Sequence, residues 1–164
     1  MMGKLLIAGI GNIFLGDDAF GVEVVQRLER IPFPDGVVVK DFGIRSYDLA
    51  YALMQEWEMV ILVDALPQDG EPGTLYTFEP DLRLADAAVV PDAHSMDPVA
   101  VFQLVRSLGG KAPRTVIVGC EPAILEADED GRIGLSPPVA AAVDQAVKVV
   151  EELITRARSQ KQAA

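Results

Sequence analysis

Lys4-Leu5-Leu6-Ile7-Ala8-Gly9 is a short apolar run that ends in glycine, the pattern of a strand buried on both faces rather than one alternating between core and water. After the turn that follows, Val22, Val24, Val25, Leu28 and Ile31 recur at helical spacing with Glu23, Gln26, Arg27, Glu29 and Arg30 between them, until Pro32 and Pro34 stop the pattern. Val37 to Phe42 reads as a second strand, Tyr47 to Trp57 as a second helix, and Met59 to Ala65 (MVILVDA) as a third strand of the same buried character. This β-α-β-α-β alternation predicts an α/β fold with a mainly parallel sheet and right-handed crossovers.

The second half is less regular. Gly73 to Phe78 (GTLYTF) reads as a strand with no helix before it, which suits an antiparallel or edge position. Pro80 to Ala93, rich in Asp, Ala and Pro, reads as an irregular loop that delivers His94. A helix is expected from Asp97 to Leu108, with Asp97 as N-cap or Pro98 in the first turn and Gly109-Gly110 as its stop. Arg114 to Gly119 is a further buried strand, and a long helix runs from Ser136, its cap, with Pro137 at the first position, to about Arg158. The 164 residues suffice for one domain, taken as residues 1–158 with a frayed tail over 159–164.

Half the residues are apolar and the mean hydropathy is mildly positive, in keeping with strands buried on both faces. The longest apolar stretches run about eight residues, against the roughly 20 a membrane helix needs, and Met1 to Ile10 lacks the pattern of a secretion signal. A cytoplasmic protein is expected, and the single cysteine, Cys120, agrees with a reducing compartment. The net charge of −11 opposes binding to nucleic acid or anionic membrane. The one basic cluster, Arg156, Arg158 and Lys161, reads as a solvated helix end. A monomer is expected.

Three residues stand where strands should end: Asp18 after the glycine turn, Asp64 closing the third strand, and His94, the only histidine. Two carboxylates and an imidazole are the ingredients of a divalent-metal or acid/base hydrolytic site, and open α/β sheets collect ligands beyond the carboxyl ends of their strands. Asp17 and Asp18 also suit helix capping, for which one acid is enough. Asp64 follows an apolar run, where a carboxylate must be paired, hydrogen-bonded or metal-bound. Asp41 and Asp48 are weaker candidates, and Cys120 packs most simply as a small apolar residue. The turn Gly9 to Gly16 also invites a nucleotide-binding reading. That fingerprint wants glycine where Phe14 stands, however, and Asp17-Asp18 puts negative charge where a pyrophosphate would sit, although Asp41 is placed like a ribose-binding acid.

Taken together, Gly9-Ile-Gly-Asn12, Asp17-Asp18-Ala-Phe-Gly21-Val22, Val63-Asp64-Ala65, His94 and Gly134-Leu-Ser-Pro137 resemble the hydrogenase maturation proteases over nearly the whole chain. The resemblance implies a three-layer α/β/α sandwich, phosphorylase/hydrolase-like, with a mainly parallel sheet. It implies an endopeptidase that removes the C-terminal extension of a nickel-iron hydrogenase large-subunit precursor. The family's nickel-binding acid, Asp and His fall on Asp18, Asp64 and His94, with Asp18 and Asp64 also catalytic. Nickel would arrive on the precursor's cysteines, and the protease would supply the missing ligands. Asp41-Phe42-Gly43-Ile44 matches the family's Asp-Gly-Gly-Thr-like loop loosely, departing at Phe42 and Ile44, and Ala19 stands where many members have glycine. Water activation by metal and by a carboxylate both remain open; a carboxylate pair sharing one proton would leave His94 without a role. The non-enzymatic rival is a nickel-dependent checkpoint that holds the precursor without cutting it.

Overall fold

The computed structural model describes residues 2–82, 98–125 and 131–162. Its elements in chain order are β1 (Leu5–Ile10), α1 (Phe20–Leu28), β2 (Val37–Gly43), α2 (Ser46–Leu53), β3 (Met59–Ala65), β4 (Leu75–Phe78), α3 (Pro98–Ser107), β5 (Thr115–Cys120) and α4 (Pro137–Gln162), with a short 3-10 turn at Gly16–Ala19 before α1. The strands form one sheet in the order β2-β1-β3-β5-β4. All neighbours are parallel except β4, which pairs antiparallel with β5 at the edge. The strand that follows β3 without a helix therefore does take an edge position.

Strand position explains strand sequence. The three inner strands, β1, β3 and β5, are buried at every residue, whereas β2 at one edge is half-exposed and β4 at the other opens to solvent. Along β1 the side chains alternate between two cores. Leu5 and Ile7 pack with Phe20, Val24 and Val25 of α1 and Val143, Val150 and Ile154 of α4. Leu6, Ala8 and Ile10 pack with Leu49 and Leu53 of α2 and Phe102 and Val105 of α3. Two helices on each face make the three layers. Each such aliphatic side chain contributes about 1.5–3 kcal/mol on burial, which is why near-continuous apolar strands belong in the middle of the sheet.

Several helix ends differ from the sequence expectation. Helix α2 stops at Leu53 rather than Trp57; the Ala52 carbonyl takes the Gln55 amide at 3.1 Å in a tighter closing turn, and the Trp57 indole Nε1 turns back to donate to the same oxygen at 2.7 Å. Helix α3 does end at the double glycine: Gly109 has φ +83 and Gly110 N donates to the Val105 carbonyl, a left-handed stop. Asp97, expected as its cap, lies outside the described residues. Helix α4 continues through Gln162, beyond the expected end near Arg158. Arg158 is not solvated either. It is 8% exposed, donating Nη1 to the Gly3 carbonyl at 2.7 Å and Nη2 to the Asp35 carbonyl at 3.2 Å. No described helix is long and apolar enough to cross a membrane.

Candidate active site

Strand β1 has β2 on one side and β3 on the other, so the chain leaves β1 toward one half of the sheet and β3 begins the other. Such a reversal leaves a crevice beyond the carboxyl ends of the two strands. A cleft of about 420 Å³ lies there, lined by Asn12 and Asp18 after β1, Ile44 after β2, Asp64 at the end of β3, and Pro98 at the start of α3. The structure thus brings Asp18 and Asp64 to one cleft. His94 lies outside the described residues, and among the described residues no group of three His, Cys, Asp or Glu side chains gathers into a metal site.

The glycine turn is shaped by packing. A Cβ on Gly9 would stand 2.5 Å from the Gly21 carbonyl oxygen, and one on Gly21 would run into the carbonyls of Val63 and Ile10. The start of α1 therefore lies directly on β1 and β3. Gly11, at φ +147, lets the chain pass over the Asp18 carbonyl. These close approaches use the glycines that a dinucleotide fold would spend on phosphate, and two carboxylates stand in the following turn. The nucleotide reading finds no cradle here.

Asp18 is half-buried, and its Oδ2 accepts the Asn12 amide at 2.7 Å. Burial raises its pKa, and the Asn12 amide offsets only part of the rise. Its Oδ1 has no hydrogen-bond partner among the described residues. Asp64 is 6% exposed and sits opposite Gly119 in the parallel ladder. A carboxylate with an open oxygen beside a second, buried carboxylate is a donor set suited to a divalent ion or to moving a proton.

Asp17 does not cap α1, whose N-cap position, Ala19, makes no side-chain cap bond. Fully buried, Asp17 accepts four hydrogen bonds. Its Oδ2 takes the amides of Ala123 and Ile124 and the Ser136 hydroxyl, each at 2.8 Å, and its Oδ1 takes the Ser136 amide at 2.7 Å. Burial pushes the carboxyl up, but the donations from Ser136, Ile124 and Ala123 outweigh it and hold the pKa below the ordinary value. The turn carrying Asp18 is thereby pinned to the chain after β5 and to the start of α4. Return bonds from Gly16 N to Arg132 O, and from Asp17 N to Ile124 O, complete the latch.

A second buried acid, Glu121, directly follows β5. It accepts the amides of Gln68 and Gly70 and, at 3.0 Å, the Tyr76 hydroxyl. These donations hold its pKa below the ordinary value against the opposing effect of burial. Sequence reasoning passed it over, although the signal was the one that marked Asp64: an acid closing a buried apolar strand. The weaker candidates fall away. Asp41 Oδ1 accepts the Gly43 amide at 2.8 Å in a tight turn, and Asp48 pairs with Arg45 at 3.6 Å on the surface. The Cys120 thiol is fully buried and pushed up to about 11, first by burial and then by the charges of Asp17 and Glu121, so it is no nucleophile at neutral pH.

The sequence model of the hydrogenase maturation protease family matches residues 22–153. A Methanocaldococcus jannaschii protein described as a hydrogenase maturation protease is 37% identical over 147 residues, covering 89% of this chain and 93% of that one. The coenzyme F420 hydrogenase subunit delta of Methanothermobacter thermautotrophicus is 32% identical over 154 residues, covering 90% and 92%. Among solved structures, the hydrogenase-maturating endopeptidase HybD of Escherichia coli superposes with a TM-score of 0.74 at 27% identity, covering 93% of each chain.

Proposed function

Because the chain belongs to the hydrogenase maturation protease family, and is therefore a peptidase, we propose that it removes the C-terminal extension of a nickel-loaded hydrogenase large-subunit precursor, acting as a monomer in the cytoplasm. The single observation that carries this reading is the cleft at the β1/β3 reversal, whose lining includes both Asp18 and Asp64. With His94 they supply two oxygens and an imidazole to nickel held by the precursor's own cysteines. The nickel is part of the substrate, and a precursor without it offers nothing for these three groups to bind. Discrimination follows from that difference in affinity between the loaded and empty forms. The lone buried thiol supports a reducing compartment.

Hydrolysis of the peptide bond needs water attacking the carbonyl carbon, a group to take the water's proton, and a proton for the departing amine. Asp18 suits the proton transfers. Its raised pKa brings it toward the operating pH, where a carboxyl is most effective as acid and base. Asp64, buried beside it, orients the water and the scissile carbonyl. The Asp17 latch keeps the Asp18 turn from shifting, which matters because small displacements of a positioned group are costly in rate.

The test is to incubate the purified protein with precursor carrying nickel and with precursor lacking it, then weigh both products. Loss of the C-terminal segment from the loaded form alone is expected. Trimming of both forms would refute the nickel-gated mechanism.

A further inference from the structure

Beside the cleft lies a larger cavity of about 560 Å³. It lies beyond the ends of β3 and β5, past the rung in which Leu66 N donates to the Cys120 carbonyl at 2.8 Å. One wall is Pro67, Asp69 and Gly70, the other Pro122 to Leu125. Pro67 borders both this cavity and the Asp18/Asp64 cleft, so the two are immediate neighbours. A peptidase must hold chain on at least one side of the bond it cuts, and among the described residues this cavity adjoins the cleft.

The lining defines what fits. Pro122, Ala123, Ile124 and Leu125 present an apolar wall, with the Ala123 and Ile124 amides already spent on Asp17. The Glu121 carboxylate is likewise consumed, by Gln68, Gly70 and Tyr76. Asp69 is different. It is exposed, no Lys or Arg pairs with it among the described residues, and it lies between the two amides that Glu121 grips. Its φ of +58 makes it the only described non-glycine residue with a left-handed backbone. An apolar wall facing one open carboxylate suits a side chain with an aliphatic stem and a cationic head.

We propose that this cavity receives the substrate segment adjoining the scissile bond, and that Asp69 selects a lysine or arginine side chain there, with Glu121 as the positioning residue that holds Asp69 in place. The inference rests on the peptidase reading of the neighbouring cleft.

The experiment measures cleavage of nickel-loaded precursor by the unaltered protein and by Asp69→Asn and Asp69→Gly, both residues that tolerate a left-handed backbone. KM is expected to rise about fivefold in each variant with kcat nearly unchanged, the size of a partly exposed ion pair. Precursors in which each Lys or Arg near the scissile bond is replaced in turn by Gln should include one that shows the same rise and is then insensitive to Asp69→Asn. A KM that ignores Asp69, or losses that add for every precursor variant, would overturn the proposal while leaving the peptidase reading intact. Failure of the unaltered protein to cut any loaded precursor would bring down both.

Discussion

Ser136 reaches Asp17 across 119 residues of sequence and gives it two hydrogen bonds, the amide to Oδ1 at 2.7 Å and the hydroxyl to Oδ2 at 2.8 Å. This contact, with those from Ala123 and Ile124, joins the turn of Asp18 to the far half of the sheet. Hydrogen bonds to a charged group contribute about 1.5–3 kcal/mol. Asp17→Asn should therefore lower stability at pH 7 by an amount in that range, seen as a fall in the urea midpoint. The pH dependence has a definite sign. With a folded pKa below the ordinary 3.8, the carboxylate's contribution is complete above that value and fades as pH falls through the folded one. The gap between wild type and variant should shrink in acid; an equal gap at pH 7 and pH 3 would show that ionisation has no part in it.

Asp18→Asn, Asp64→Asn and His94→Ala should each reduce cleavage of nickel-loaded precursor by about a hundredfold or more, the scale of a lost acid/base group. Residues acting as one unit lose activity non-additively, so a double variant should be little worse than its poorer parent. Initial rates followed by mass spectrometry check this. Full activity in His94→Ala would leave the two carboxylates as the whole site.

The Cys120 thiol should not react with a thiol-specific reagent in the folded protein at pH 8, since it is buried and its pKa stands at about 11. One thiol per chain should appear on denaturation. Rapid labelling under native conditions would mean that the core around the end of β5 opens readily.

Gly21→Ala should destabilise the protein by about 1–3 kcal/mol, the usual cost of forcing a methyl group into a packed core, because its Cβ has no space against the Val63 and Ile10 carbonyls. Cleavage should fall as well, as α1 and the Asp18 turn lift from the sheet. Thermal melts and cleavage rates on the same preparation test both halves. A variant as stable and as active as wild type would remove the close-packing account of the glycine turn.

The layered fold was legible because burial on both faces writes itself into β1, β3 and β5 as unbroken apolar runs, and because helical spacing marks α1 and α4. Helix ends were less legible. Helix α2 ends in a tightened turn closed by the Met54 and Gln55 amides, with the Trp57 indole folded back on it, and the exposure of Arg158 depends on where Gly3 and Asp35 lie in space. Asp18 and Asp64 could be picked out by their places after strands. Asp17 could be noticed as a surplus acid, but its task could not be read, since its partners stand more than a hundred residues away. Asp69 carries only the turn signal of its Asp-Gly pair; the grip of Glu121 on the amides either side of it comes from a residue more than fifty positions away.

The clamp of Arg158 on the Gly3 carbonyl ties the last turns of α4 to the start of β1. Strand β1 then runs six residues, about 20 Å, before the chain reaches the cleft. Both ends of the described chain are thus gathered at the pole opposite the mouth of the Asp18/Asp64 cleft. A carrier fused to either end, or a bead to which the protein is tethered there, leaves the mouth facing outward, so an immobilised form can be offered large, folded precursors without turning its working side to the support.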